Sequence, residues 1–156
     1  MTNPIYECVI NKNTTNTPIW FMRQAGRYLP EFRKIRKLNP NFINLCLNEN
    51  LSSKITLQPL QRFKLDAAII FSDILMVPYG LSQKVKFKKN FGPELGPLKL
   101  DKTSNINEID FLKKLDPIYK SIKKIKKNIL INNKDIIGFI GAPWTLLVYM
   151  INKHSP

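Results

Sequence analysis

Three short apolar runs, Ile19–Met22, Asp66–Phe71 and Asp135–Ile140, each give way to a polar or glycine-bearing loop and then to a stretch of helical periodicity. A compact apolar run between amphipathic helices suits a strand covered on both faces. The order strand, loop, helix, met three times, is that of a parallel sheet in an α/β fold. In a closed barrel of such units the loops after the strands build the active site, and Arg23, Asp73 and the turn from Gly141 to Thr145 fall in those loops.

The remainder of the chain reads as packing around these units, in a single domain over residues 1–156 with 1–17 as a polar lead-in. Pro30 opens a helix whose stripe of Phe32, Ile35 and Leu38 ends at Asn39-Pro40. Phe42, Leu45, Cys46, Leu51, Ile55 and Leu60 continue at helical spacing, with Pro59 expected to kink or break the helix. Val85–Lys88 alternates apolar with basic residues, as a strand or hairpin arm outside the main sheet does, and Gly92-Pro93 and Gly96-Pro97 bracket an expected loop. Asp116-Pro117 is expected to divide two helices as an N-cap and first-turn proline. Ile118, Ile122, Ile125 and Ile129 then face inward, and Lys120, Lys123, Lys124 and Lys127 face water.

The net charge of +14 raises the question of nucleic acid. The lysines are scattered among asparagines and isoleucines, the composition that an AT-biased genome produces by drift, and the aromatics fall in expected strands and helix cores. The charge is therefore read as solvated surface, with no nucleic-acid partner expected. Cys8 and Cys46 show neither metal spacing nor a disulfide framework, and a reducing cytoplasm is expected. Neither a signal peptide nor a membrane-spanning run is visible.

Arginine is used selectively. Of the chain's five arginines, Arg23, Arg27, Arg33 and Arg36 lie between Pro18 and Arg36, whereas lysine supplies the charge nearly everywhere else. A planar, permanently charged fork grips carboxylate or phosphate, so an anionic ligand is the first expectation, with Gln24 as a neutral donor and acceptor and Gly26 allowing close approach. Arg33 and Arg36 also read as charges solvating a helix face. Asp73, at a strand's C-terminal end, is either a functional carboxylate or the cap of the following helix. Tyr149 reads as amphipathic packing, and His154 receives no role.

MRQAGRYLPEFR, LQPLQRFKLDAAIIFSDILMVP and GFIGAPWTLLVYM together resemble the uroporphyrinogen decarboxylase family, with matches from Pro18 to Met150. The resemblance implies a (β/α)8 TIM barrel, of which 156 residues hold about the first three strand-helix units, since a whole barrel takes about 250 residues. It also implies cofactor-independent, metal-free removal of the four acetate carboxyls of uroporphyrinogen III, giving coproporphyrinogen III. Asp73 and Arg23 are then catalytic. Arg23, Gln24, Ala25, Gly26, Arg27, Arg36, Asp73 and Tyr149 bind the polycarboxylated tetrapyrrole. The family forms homodimers, and its C-terminal half adds further site residues, so this chain is expected to need that half. A catalytically inactive remnant and a basic nucleic-acid module are the rival readings.

Overall fold

The computed structural model describes residues 3–13, 15–88, 92–101 and 105–154. Helix α1 (Pro4–Val9) lies in the lead-in, of which residues 1, 2 and 14 are outside the described ones. It is followed by α2 (Pro30–Leu38), α3 (Phe42–Cys46) and α4 (Glu49–Arg62). Strand β1 (Ala67–Ile69) leads through a loop to α5 (Met76–Gly80). The hairpin β2 (Val85–Lys88) and β3 (Gly92–Leu95) precedes the long α6 (Glu108–Lys126), a short 3-10 turn at Ile129–Ile131, β4 (Asp135–Ile137) and α7 (Pro143–Asn152).

Asparagine explains several of these starts. Asn41, Asn48, Asn107 and Asn128 each stand one residue before a helix and accept a hydrogen bond from its first exposed N–H groups, at 2.8–3.1 Å. A short side-chain oxygen at that position satisfies donors the helix cannot. Asparagines attributed above to compositional drift therefore set helix boundaries.

β1 and β4 pair in parallel, Ala68 opposite Ile136, and β2 and β3 pair antiparallel as an outlying hairpin. The parallel pair is the α/β feature expected from the sequence, but it has two strands where three were expected. Ile19–Met22 forms no strand. It is tied to β1 only at its first residue, where Ile19 donates to the Asp66 carboxylate at 2.7 Å and accepts from the Asp66 N–H at 2.8 Å. Phe21 and Met22 are exposed. The edge of β1 that would have paired with them is taken by side chains. The Gln24 amide donates to the Ala67 carbonyl at 3.0 Å and accepts from the Ile69 N–H at 3.3 Å, as one residue of a parallel neighbour would. The Phe71 N–H, next along that edge, donates to the Thr56 hydroxyl at 2.8 Å.

Four further expectations are corrected. Helix α6 runs unbroken through Asp116-Pro117, because Leu115, Ser121 and Ile125 are buried along one face and that packing outweighs the lost proline N–H. Pro59, fully buried, likewise sits within α4, so of the kink or break expected there the break does not occur. Gly92-Pro93 opens a strand, with Pro93 paired opposite Phe87 on a two-stranded ribbon whose edges tolerate proline. Leu38 and Ile129, assigned to inward faces, are 81% and 78% exposed.

The core forms three apolar groups. One joins α2, α3 and α4 through Leu29, Phe32, Leu45 and Ile55, and a second packs Leu57, Leu60, Ala68 and Ile125 between α4, β1 and α6. The third lies beneath the hairpin and α7, around Cys46, Leu75, Leu95 and Met150. Phe71 touches the first and the third, and its ring meets Phe32 and Phe42 edge-on at 5.8 and 5.7 Å. No helix among the described residues is long and apolar enough to cross a membrane.

Candidate active site

Asp73 stands in the loop after β1. Its Oδ1 accepts the Leu75 N–H at 2.8 Å and its carbonyl accepts the Met76 N–H at 3.2 Å, so the carboxylate does shape the turn into α5. One oxygen is left over for other work. Burial pushes the Asp73 carboxyl above the usual aspartate range, only partly offset by that N–H. Behind it lies Cys46, fully buried, whose thiol is driven far up by burial and then by the Asp73 charge, with Arg36 acting the other way. Arg36 donates to the Asn39 carbonyl at 2.5 Å and lies over the Phe42 ring, 5.5 Å from its centroid. Asp73, Cys46 and Arg36 thus form one neighbourhood.

The turn after β4 meets the same place. A Cβ on Gly141 would lie 2.6 Å from Leu146 Cδ2 and 3.2 Å from Ile74 Cβ, so this loop is packed directly on the residue after Asp73. Pro143 then starts α7, and Tyr149 on that helix packs against the apolar group that contains Cys46 and Leu75. The sequence residues Asp73, Arg36 and Tyr149 are therefore arranged around a common cluster.

The arginine segment is built differently. Its backbone is fixed: Gln24 is buried on β1, Ala25 packs on the group around Leu29, and the Tyr28 hydroxyl donates to the Gln24 carbonyl. Arg33 donates to the Arg27 carbonyl at 2.7 Å and the Tyr28 carbonyl at 3.1 Å. Arg33, which the sequence left as a surface charge, is the staple of this loop. No feature of the sequence set it apart from Arg27. At Gly26 an added Cβ would make only ordinary contact with the Tyr28 ring, so no internal packing demands glycine there. Arg23 and Arg27 are exposed, and among the described residues their guanidinium groups have no intramolecular partner.

Two other features lie outside this neighbourhood. A cavity of about 580 Å³ lined by Asn3, Lys126, Asn132 and Asp135 opens at the start of β4, the opposite end of the strand from the Gly141 turn. Among the described residues no three His, Cys, Asp or Glu side chains group as a metal site would.

Comparison with known proteins fits this arrangement. The model of the uroporphyrinogen decarboxylase (URO-D) family matches residues 2–155. Uroporphyrinogen decarboxylase of Rickettsia canadensis is 47% identical over 139 residues, covering 89% of this chain and 41% of the relative. The proteins of that name from Agrobacterium fabrum and Rickettsia felis are 43% and 44% identical, covering 92% and 91% of this chain. The chain spans about 41–42% of the length of these curated relatives. With the family model matched over nearly every residue and relatives 43–47% identical over about nine-tenths of its length, the chain belongs to the uroporphyrinogen decarboxylase family.

Proposed function

We propose that this chain contributes the first strand-helix units of a TIM-barrel decarboxylase that removes acetate carboxyls from uroporphyrinogen III. The observation that carries the reading is the pairing of a half-buried Asp73, with one oxygen unused, and an arginine segment whose backbone is held while Arg23 and Arg27 remain exposed. Pyrrole acetates lose CO2 after a ring carbon is protonated: the C–C bond to the carboxylate breaks, its electron pair flows into the cationic ring to leave an exocyclic methylene, and that carbon takes a proton to become methyl while the ring carbon gives up the proton it had gained, so that one proton is consumed for each CO2 released. Asp73 accepts pyrrole N–H groups and stabilises the developing positive charge, an effect strengthened by its partial exclusion from water. Arg23, Arg27 and Arg36 orient the carboxylates through charge-assisted forks, and Tyr149 lines the cleft. Gln24 acts through β1, holding the loop, and Ala25 and Gly26 keep the backbone accessible to the ligand. The homodimer of the family belongs to this reading, as does the proton donor role of Arg23, although a guanidinium is a weak acid.

One observation favours a second reading, in which this chain alone is inactive. Phe139, Ile140 and Trp144, around the β4 loop, are 46–74% exposed, and such apolar surface calls for a covering partner. One experiment addresses both. Turnover of uroporphyrinogen is measured anaerobically for the chain alone and for a protein joining it to the remaining length of a relative, with Asp73→Asn and Arg27→Ala in the latter. Turnover by the joined protein alone is expected, with Asp73→Asn lowering kcat and Arg27→Ala chiefly raising KM. Wild-type kcat in Asp73→Asn would end the assignment of the carboxylate.

A further inference from the structure

We propose that Thr56 is a positioning residue for Asp73, fixing the end of β1 through its hydroxyl so that the carboxylate is held in its half-buried place; this rests on the reading of Asp73 as the charge-stabilising group. A threonine inside a helix commonly returns its proton to the carbonyl one turn back, and Thr56 does so, donating to the Ser52 carbonyl at 2.9 Å. That bond settles the polarity of the hydroxyl. Its oxygen is left to accept, and it accepts the Phe71 N–H at 2.8 Å, two residues before Asp73.

The support beneath this contact is rigid. Thr56 and Ser121 are fully buried and Ser52 nearly so, and the Ser52 and Ser121 hydroxyls share a 2.6 Å hydrogen bond that ties α4 to α6. The backbone of Phe71 is therefore referenced to the two longest helices, while its ring is lodged edge-on between Phe32 and Phe42. Only Ser72 separates this anchor from Asp73, and the Leu75 N–H holds the far side. The groups around the carboxylate are Cys46 of α3, Arg36 of α2 beyond it, and Tyr79 of α5 and Tyr149 of α7 on the same apolar cluster. Without the Thr56 acceptor, the Phe71 N–H has no third strand to pair with, and the loop is released toward water.

The test uses the 156-residue chain and two readouts independent of turnover. These are site-resolved hydrogen exchange at Phe71 by mass spectrometry, and carbodiimide-driven amidation of Asp73 as a function of pH. Thr56→Val is expected to speed exchange at Phe71 about tenfold, the ratio matching the typical net worth of one hydrogen bond. The Asp73 labelling midpoint is expected to fall toward the ordinary aspartate range. Thr56→Ser should restore both. Ser121→Ala, in the same network but further from Phe71, should loosen α4 against α6 and leave the Asp73 midpoint in place. If valine unfolds the chain, Thr56→Cys, which keeps the size and weakens the acceptor, should move both readouts in the same directions. An unmoved Asp73 midpoint in Thr56→Val or Thr56→Cys, or an equal shift in Ser121→Ala, would overturn the proposal. Loss of the charge-stabilising role of Asp73, by contrast, would come from wild-type turnover in Asp73→Asn and would leave this placement standing.

Discussion

Replacing Gln24 by leucine tests whether one side chain stands in for a strand. Leucine is similar in size and opens no large cavity, so the change isolates the two hydrogen bonds to β1. The Ala67 carbonyl is in a fully buried residue and loses a 3.0 Å donor. The Ile69 N–H is only half-buried, and its bond, at 3.3 Å, is longer. An orphaned buried backbone group costs about 1–3 kcal/mol, so the first loss falls in the upper part of that range, the second near its foot, and the sum is about 3–4 kcal/mol. Against a typical domain stability of about 5–15 kcal/mol this is a large fraction. Equilibrium urea unfolding followed by circular dichroism measures it, with exchange at Ile69 as the local readout. Gln24→Glu gives a sharper contrast. It keeps an acceptor for Ile69 but faces the Ala67 carbonyl with an oxygen, so its carboxyl is held protonated more readily in the fold than in the unfolded chain. Its stability should recover as pH falls, once the acid O–H can donate to Ala67. A Gln24→Leu variant within about 0.5 kcal/mol of wild type, or a Gln24→Glu defect independent of pH, would refute the idea that this amide completes the sheet edge.

Gly141→Ala is expected to destabilise by about 1–3 kcal/mol in urea unfolding, because the new methyl would meet Leu146 Cδ2 at 2.6 Å and the less yielding Ile74 Cβ at 3.2 Å; an unchanged midpoint would mean that the two loops are not in contact. Asp73→Asn is expected to stabilise the fold at neutral pH. The Asp73 carboxyl is raised in the fold by burial, so its ionised form costs stability that is absent below the unfolded value and grows as pH rises through the folded one. Asparagine escapes that cost, by about 1.4 kcal/mol for each pH unit of displacement, and keeps an oxygen for the Leu75 N–H. The gain in urea midpoint over wild type should vanish near about pH 3, and a gain that is the same at acid and neutral pH would contradict the assignment.

Local rules were legible where a residue's own backbone chemistry decides the outcome. Pro30 and Asn39-Pro40 bounded α2, whose structure runs Pro30–Leu38, and the alternation of Val85–Lys88 found a hairpin strand. The parallel pair and the loops after it were readable for the same reason. What failed were cases settled by tertiary contact. Pro59 and Pro117 look like breaks in one dimension, but each lies in a helix held by burial between α4 and α6. Ile19–Met22 has strand composition, yet a strand exists only where a partner edge is open, and Gln24 and Thr56 occupy that edge. The arginine cluster pointed to an anion, but nothing in the spacing distinguished Arg33, turned back on carbonyls, from Arg27, turned outward.

That distinction bears on how the site binds. A guanidinium that is already paired must give up its partner before it can hold a ligand, and one on a loose loop must be ordered at the ligand's expense. Arg23 and Arg27 avoid both costs: their side chains are unpaired within the described chain, and the backbone that carries them is fastened by Gln24 to β1, by the Tyr28 hydroxyl and by Arg33. Asp73 is the converse case. It is pinned by a neighbouring N–H and half-buried, so its charge is screened less than that of an exposed group. An arrangement of this kind divides labour by solvation. Under the proposed function, water-exposed forks would collect a polyanion without first breaking internal bonds, while the single carboxylate set deeper would be reserved for positive charge that appears only as the reaction proceeds. Reversing the two, with arginines buried and the aspartate exposed, would bury unpaired cations at high cost and leave the transition-state charge to be stabilised mostly by water.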